Sequence, residues 1–134
     1  MYMIGVISLL FIICVVVHIA FVNGFLSIAV YRFFIFWFAC IPVRTLLAWL
    51  AYRGYNVTPV TTCIGVGMIY KFITEQNKKN KSGAMDCGVF GNTPYWHNMR
   101  LVHGLLFILY SVHNNAYILY ADVIVGILTY ILHN

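Results

Sequence analysis

Four ionisable side chains lie inside apolar stretches of this sequence, where a charge is costly. They are Arg44, Arg100, His103 and Asp122. An ionised Asp122 in such surroundings needs a cation beside it, and the planar guanidinium group of arginine suits a carboxylate. Arg100 and His103 are three residues apart, so they share one face of a helix. We therefore predict a cluster of Arg100, His103 and Asp122, with Arg44 as a candidate fourth member.

Such an intramembrane polar cluster can serve two purposes. Ionisable residues within a membrane often mark a proton or ion path. Paired charges can instead hold helices in one register. Asp122 is the one acidic residue in the apolar stretches, and few further polar residues accompany it, so a continuous path is hard to draw. The sequence favours the structural role over the path.

Ligation of haem by histidines is a weaker alternative. His103 and His113 are ten residues apart, which turns them about 280° from each other on one helix. A bis-histidine site would therefore need His18 opposite one of them. Four cysteines are present, but no two have the C-x-x-C spacing of zinc sites. We predict no metal and no cofactor, and the sequence also lacks the spacings of hydrolase triads and zinc proteases, so no enzyme is predicted.

Composition identifies the setting of these residues. The chain has 134 residues, of which 63% are hydrophobic and 8% charged, and its mean hydropathy is +0.89. Soluble domains carry about 25% charged residues, since their surface must be wetted. This composition excludes a soluble enzyme, a disordered tail and a small secreted disulfide domain. It indicates a polytopic membrane protein.

The predicted fold is all-α, a single membrane domain built as a transmembrane helical bundle. A span needs about 20 apolar residues, and about four to five spans are predicted. They are residues 2–22, 33–52, 60–73, 95–113 and 116–132. The segment 60–73 is the shortest of them, and it contains Gly65 and Gly67, which permit close helix packing. The last two spans form an antiparallel hairpin over the turn Asn114-Asn115, and Pro42 is expected to kink the second.

Residues 74–94 form the longest polar stretch and are predicted to be an exposed loop. The loop contains Lys78, Lys79 and Lys81, and the whole chain has a formal net charge of +5. A short basic loop beside apolar helices more often fixes membrane orientation or contacts anionic lipid head groups than binds nucleic acid. The positive-inside rule places this loop and the C-terminus in the cytosol.

Three short motifs carry a resemblance to a known family. They are C-I-P-V-R from Cys40 to Arg44, R-x-x-H-G-L-L from Arg100 to Leu106, and D-V-x-x-G from Asp122 to Gly126. With their surroundings, at residues 38–132, they resemble a family of small multi-span membrane proteins of large icosahedral DNA viruses of algae and protists. The family's charged positions match the four residues of the predicted cluster. The resemblance implies a place in the virion internal membrane, or in the host membrane from which it derives, and no enzyme activity.

These observations lead to a functional prediction. The chain is expected to be a structural protein of a viral internal membrane, anchored in bilayer derived from the host endoplasmic reticulum during assembly. Its lysine-rich loop would face minor capsid proteins or lipid, and the chain would form oligomers. One alternative is a small channel or transporter whose path Arg44, His103 and Asp122 line. Another is an accessory subunit of a host membrane complex.

Overall fold

The computed structural model describes residues 2–82 and 94–133. The described residues are 89% helical and contain no strand, which confirms the all-α prediction. The structure divides into two compact units, residues 1–43 and residues 44–134. Each unit is described by itself.

The N-terminal unit contains α1 (Tyr2–Val22), α2 (Ile28–Ile35) and a π-helical turn (Phe36–Cys40). A tight turn ends α1 at Gly24, whose φ of 76° suits glycine. The Phe25 N–H there donates to the Ala20 carbonyl at 2.9 Å. Side chains also connect α1 to α2. The rings of Phe21 and Tyr31 stack with their centres 4.2 Å apart.

The π-helical turn explains how the chain accommodates Pro42. In a regular α-helix the residue at position 42 would donate its N–H to the Phe38 carbonyl, but proline has no N–H. The Ile41 N–H donates five residues back, to Phe36, and the Cys14 thiol lies 3.8 Å from the Phe38 carbonyl as a weak donor. The proline predicted to kink this span therefore follows a π bulge, a common response to local strain in a helix.

The C-terminal unit begins within α3 (Ile41–Tyr52) and continues through three more helices. They are α4 (Thr58–Ser82), α5 (Pro94–His113) and α6 (Ala116–His133). Helix α5 packs on α4 and α6, and it contributes Phe107 and Tyr110 to the core. The core consists of Ala48, Val57, Phe107, Tyr110 and Leu119.

The contact between α4 and α5 runs antiparallel and depends on two glycines. A Cβ added to Gly104 would lie 2.8 Å from Ile69 Cγ1 and 3.1 Å from the Gly65 carbonyl, so the two backbones touch. Gly67, also predicted to permit close packing, instead faces open space. Nearer the C-terminal end of α5, the Thr62 hydroxyl donates to Ser111 Oγ at 2.9 Å. Close backbone approach and neutral hydroxyl pairs are typical of helix contacts in membranes.

The hairpin of α5 and α6 turns at Asn114-Asn115. Asn114 adopts a φ of 51°, a left-handed conformation that asparagine tolerates. The Asn115 side chain accepts the Tyr117 N–H at 3.0 Å and so satisfies a free donor in the first turn of α6. The C-terminal hairpin of the predicted fold is thus present.

Three helices are long and apolar enough to cross a membrane among the residues described. They are Gly5–Val22, Ile28–Tyr52 and Ala116–His133. They correspond to the predicted spans 2–22, 33–52 and 116–132. The predicted spans 60–73 and 95–113 are helical as parts of α4 and α5, but both helices are less apolar and do not belong to this set.

The prediction of a polar loop at residues 74–94 is wrong for its first part, which is helical. Helix α4 continues to Ser82, so residues 74–82 are helical, and residues 83–93 lie outside the described part. The reason is tertiary packing. Glu75 and Gln76 contact His97 of α5, and such contacts stabilise a helix whose own sequence is too polar to predict it.

Candidate functional site

Arg44, His103 and Asp122 meet at one point of the C-terminal unit, although they belong to three helices. Arg44 Nη1 donates to Asp122 Oδ2 at 3.0 Å. His103 Nδ1 lies 2.5 Å from the other oxygen, Asp122 Oδ1. Asp122 is fully buried, with 0% of its surface exposed. Each carboxylate oxygen of this Asp122 triad (Arg44, His103, Asp122) therefore has its own partner.

Hydrogen-bond chemistry indicates which atom of the Asp122 triad carries a proton. Arg44 Nη1 also lies 2.9 Å from His103 Nδ1, but a guanidinium only donates and an ionised carboxylate only accepts. When Nδ1 carries a proton it donates to Asp122, and Arg44 then serves the carboxylate alone. With a neutral imidazole the triad holds one positive and one negative charge. Its net charge is zero, which suits the full burial of the Asp122 carboxylate.

Small and aromatic residues bring the three side chains together. Ala48, one turn beyond Arg44 on α3, is fully buried and belongs to the core cluster with Phe107 and Leu119. The Arg44 guanidinium lies 6.0 Å from the ring centre of Phe107, within the range of a cation–π contact. Gly126 is buried one turn beyond Asp122 on α6. Asp122 lies seven residues from the Asn115 turn, about 10 Å along the helix.

A second cluster joins α4 to α5 and consists of Glu75, His97 and Arg100. Arg100 Nη1 donates to Glu75 Oε2, and His97 Nδ1 lies 3.4 Å from the same oxygen. The His97 ring stacks on Phe72 at 4.4 Å, and its Nε2 lies 3.1 Å from the Gln76 amide oxygen. Glu75 is 4% exposed and His97 is 3% exposed. This Glu75 cluster is therefore a second buried carboxylate with its own arginine and histidine.

The two oxygens of Glu75 differ in their partners. Both the arginine and the histidine contact Oε2, whereas the buried Oε1 has no hydrogen-bond partner in the described structure. Lys71 Nζ lies 3.8 Å from Oε1, and the Lys71 side chain is 56% exposed. The Glu75 cluster is thus less complete than the Asp122 triad.

The structure divides the four predicted residues between the two clusters. Arg44, His103 and Asp122 come together, while Arg100 pairs with Glu75 instead of joining them. Helical geometry is the reason. Arg100 lies one turn before His103 on α5, and the continued helix α4 carries Glu75 to that level.

Sequence reasoning missed Glu75 and His97 as members of a site. Glu75 falls within the predicted polar loop 74–94, since lysine and asparagine dominate residues 77–81, and His97 falls at the start of the predicted span 95–113. A usable pattern was present, because Met68, Phe72 and Glu75 follow the i, i+4, i+7 spacing of one helix face. That spacing predicts that the buried face of α4 continues beyond residue 73.

The remaining candidate residues lie apart from these clusters. Lys78 is exposed on α4, and Lys79 and Lys81 belong to the last turns of that helix. His18 lies 3.0 Å from the Tyr31 hydroxyl in the N-terminal unit, and His113 is exposed at the end of α5. In residues 2–82 and 94–133 no three His, Cys, Asp or Glu side chains are grouped to hold a metal ion.

Comparisons with known proteins add no functional assignment. No family model matches this chain, and no match was found among curated proteins or among solved structures. The functional argument therefore rests on the geometry of the Asp122 triad and the Glu75 cluster.

Proposed function

We propose that this chain is a structural membrane protein, an anchor or scaffold without catalytic activity. In the setting that the family resemblance implies, it lies in the internal membrane of a virion, between the bilayer and the capsid. The same setting places it in membrane derived from the host endoplasmic reticulum during assembly. Its helices provide the anchor, and Lys78, Lys79 and Lys81 of its polar segment provide the docking surface.

The observation that carries this proposal is the closure of the Asp122 triad. Asp122 has 0% exposure, and each of its oxygens contacts a different partner on a different helix. A carboxylate that passes ions or protons must be reached by water or by the ion itself. A carboxylate that only binds helices together needs what is seen here, two partners and no solvent. The triad therefore favours a role in fixing three helices.

Packing supports a bundle of four to five spans in this proposal. Arg44 of α3 and Asp122 of α6 both reach His103 of α5, and α3 and α6 belong to helices apolar enough to cross a bilayer. A helix held between two such helices shares their environment, so we place α5 in the bilayer with its polar groups directed at its neighbours. Helix α4 accompanies it through the Gly65–Gly104 contact.

The docking role falls to the polar segment. The segment contains Lys78, Lys79 and Lys81, whose ammonium groups suit acidic surfaces of minor capsid proteins or of other membrane proteins. We expect the chain to act as an oligomer, since many weak contacts along a shell hold more firmly than one.

Abundance in purified virus particles tests the proposal. We expect stoichiometric amounts of the chain in particles stripped of host membrane, and amine-reactive cross-linkers are expected to join Lys78, Lys79 or Lys81 to capsid proteins. A host membrane protein of similar size, followed through the same purification, controls for contamination. Absence of the chain from such particles would contradict the proposal, and co-purification with a host complex would favour the accessory-subunit alternative.

Flux measurements test the channel or transporter alternative. The purified chain, reconstituted in liposomes that carry an ion or proton gradient, is expected to leave the gradient intact, as empty liposomes do. Asp122→Asn, assayed beside it, should behave identically. Robust flux by the native chain that disappears in Asp122→Asn would overturn the structural role and assign Arg44, His103 and Asp122 to a path.

A further inference from the structure

A cavity opens at the end of the C-terminal unit where α3 leads into α4 and α5 leads into α6. Its volume is about 510 Å³, within the range of about 300–1,000 Å³ for pockets that hold small organic molecules. Its polar lining residues are Tyr55, Asn56, Thr58, Tyr110 and Asn114. None of the described lining residues is charged, so the cavity suits a neutral ligand better than an ion.

Hydrogen bonds of the folded chain fix the wall that Tyr55 and Asn56 form. Helix α3 ends in a Schellman motif at Gly54, whose φ is 85°. The N–H groups of Gly54 and Tyr55 donate back to carbonyls in the last turn of α3, each at 3.0 Å. The Asn56 side-chain oxygen then accepts the Thr58 N–H at 3.2 Å. This wall is therefore shaped by the protein itself before any ligand binds.

A side-chain contact joins this wall to the end of α5. The Thr58 hydroxyl donates to Asn114 Oδ1 at 2.8 Å. Asn56 and Asn114 thus each use their side-chain oxygen within the protein, whereas their amide N–H groups have no partner in the part of the chain that the structure describes. Both residues are exposed. Each amide group therefore offers two N–H donors at the mouth of the cavity.

The Tyr110 hydroxyl indicates that the cavity is a binding site. Tyr110 belongs to the core and is 3% exposed, yet its hydroxyl has no hydrogen bond within residues 2–82 and 94–133. Among the described residues, Glu75 Oε1 is the one fully enclosed side-chain oxygen or nitrogen without a partner. The Tyr110 hydroxyl is therefore open to the cavity that Tyr110 lines. Phenylalanine would fill the same core position without a polar group, so the hydroxyl points to a partner inside the cavity.

The chemistry of the lining suits a sugar ring. Sugar hydroxyl groups both donate and accept, so they match amide N–H donors and a tyrosine hydroxyl. The apolar face of a sugar ring packs against an aromatic side chain, and Tyr55, 62% exposed, supplies one at the cavity. A phosphate or carboxylate group would lack a basic side chain among the described lining residues. The lining therefore favours a neutral sugar over a charged headgroup.

The cavity lies at the ends of two helices that are long and apolar enough to cross a membrane. Ile28–Tyr52 ends beside the cavity, and Ala116–His133 begins beside it. Trp49 and Tyr117 at the same end are 37% and 69% exposed, and exposed tryptophan and tyrosine favour the membrane–water interface. In the membrane location given under Proposed function, on which this inference rests, the cavity opens into the headgroup layer.

We propose that this cavity binds the neutral sugar headgroup of a glycolipid. The amide groups of Asn56 and Asn114 donate to sugar hydroxyls, and the Tyr110 hydroxyl pairs with a further one. The acyl chains of the same lipid stay in the bilayer. A free sugar has the same hydroxyl chemistry, and the experiment separates the two sources. The proposal adds selection of a particular class of lipid to the anchoring role.

Photo-cross-linking measures this binding. The full chain is reconstituted in phosphatidylcholine nanodiscs with a trace of glucosylceramide that carries a diazirine and an alkyne on its acyl chain. We expect unlabelled glucosylceramide to compete for the cross-link. Ceramide, which lacks the sugar, should compete about tenfold less well, because several hydrogen bonds are lost with the headgroup.

Two substitutions test the residues of the cavity. Tyr110→Phe removes the hydroxyl alone and should weaken binding about two- to tenfold, the effect of one neutral hydrogen bond. Asn114→Gly removes the amide group, and glycine tolerates the φ of 51° at this position. It should weaken binding at least as much as Tyr110→Phe does. Circular dichroism should show equal helix content in both variants.

Tyr117→Phe is the matched control, because it removes a hydroxyl at the same end of the unit from a residue that does not line the cavity. It should leave binding unchanged. Unchanged binding in Tyr110→Phe, an equal loss in Tyr117→Phe, or equal competition by ceramide would overturn the proposal.

Two further arms identify the source of the sugar and separate this proposal from the proposed function. Complete competition by free glucose at millimolar concentration would overturn the lipid assignment and support a soluble sugar in the same cavity. Photoactivatable phosphatidylcholine reports whether the chain contacts lipid at all. Its failure to cross-link would contradict the membrane location itself. Cross-links from phosphatidylcholine, with none from glucosylceramide beyond those from labelled ceramide, would overturn the sugar site alone.

Discussion

The two buried carboxylates of this chain have similar partners but differ in how completely they are bound. Asp122 has Arg44 on one oxygen and His103 on the other. Glu75 has Arg100 and His97 on a single oxygen, and its Oε1 has no hydrogen bond in the described structure. The two histidines are six residues apart on α5, about 9 Å along the axis. A carboxylate oxygen without a hydrogen bond is therefore accepted at the level of His97 but not at the level of His103, less than two helical turns away.

In the membrane setting proposed above, depth in the bilayer accounts for this difference. A charge in the middle of a bilayer must be matched within the protein, because neither water nor lipid can replace a missing partner. Asp122 lies about 10 Å from the nearest helix end and is completely buried. Glu75 lies at the level of Trp96 and beside the exposed Lys71, where a mobile cation and interfacial water are close. We therefore expect loss of an arginine to cost more at the Asp122 triad than at the Glu75 cluster.

The largest effect is expected from Arg44→Gln. The substitution leaves Asp122 buried with His103 as its single remaining partner, and removing one member of a buried ion pair costs about 3–5 kcal/mol. Reversible unfolding of the purified chain in mixed micelles, followed by circular dichroism, measures this loss.

The double variant Arg44→Gln with Asp122→Asn is its control. Removing both charges should restore much of the stability, because the remaining groups are neutral. A loss below about 1 kcal/mol in Arg44→Gln, the range of exposed ion pairs, would show that Asp122 is not confined as its burial indicates.

Arg100→Gln is expected to have the next largest effect, about 2 kcal/mol, as for a hydrogen bond to a charged group. Glu75 keeps His97 and can draw Lys71 closer than its present 3.8 Å. The same unfolding measurement applies, with a double-mutant cycle as its control. Lys71→Gln should lower the free energy of unfolding more when it is introduced into Arg100→Gln than when it is introduced into the native chain. If Arg100→Gln were as destabilising as Arg44→Gln, the contrast between the two clusters would fail.

The two clusters also differ in how far the sequence predicts them. The apolar runs of α1 and α6 define helices without any tertiary information, because about 20 consecutive apolar residues leave few other choices. Arg44, His103 and Asp122 were predictable as cluster members, since charges in apolar runs are rare enough to need each other. The partner of Arg100 was not predictable in the same way. Glu75 follows the apolar part of α4 and precedes a lysine-rich run, so its burial depends on packing against His97.

The π-helical turn was also beyond sequence reasoning. Pro42 predicts a disturbance of the helix but not its form. The form depends on whether another group can serve the carbonyl that proline leaves without a donor, and here the Cys14 thiol of α1 approaches the Phe38 carbonyl. Long-range contacts of this kind decide between a break, a kink and a bulge.

Gly104→Ala tests whether the two clusters contribute independently to stability. The added Cβ would lie 2.8 Å from Ile69 and 3.1 Å from the Gly65 carbonyl, so α4 must move away from α5. We expect a loss of about 1–2 kcal/mol, typical of mild overpacking. Because α4 provides Glu75 but no member of the Asp122 triad, Gly104→Ala should couple to Arg100→Gln in a double-mutant cycle and not to Arg44→Gln.

Gly67→Ala is the matched control for this substitution, since it adds the same methyl group to α4 in open space. It should leave stability unchanged or raise it slightly through helix propensity. Equal coupling of Gly104→Ala to both arginine substitutions would show that the two clusters form one cooperative unit rather than two.

The smallest effect is expected from Ser111→Ala. This substitution removes an uncharged polar contact between α4 and α5, so its cost in stability can be compared with that of the ion pair of Glu75 and Arg100 between the same helices. Ser111 Oγ accepts from the Thr62 hydroxyl at 2.9 Å, and the Thr58 carbonyl, 2.8 Å from Thr62 Oγ1 on the same helix, is an alternative acceptor for that one proton. Thr61 likewise keeps a bond to the Thr58 carbonyl at 3.0 Å. No hydroxyl is therefore left without a partner, and the loss should be about 0.6 kcal/mol, the average for hydrogen bonds between membrane helices. A loss as large as that of Arg100→Gln would mean that α4 is held by its hydroxyl contacts, and that the ion pair of Glu75 contributes little to the position of this helix.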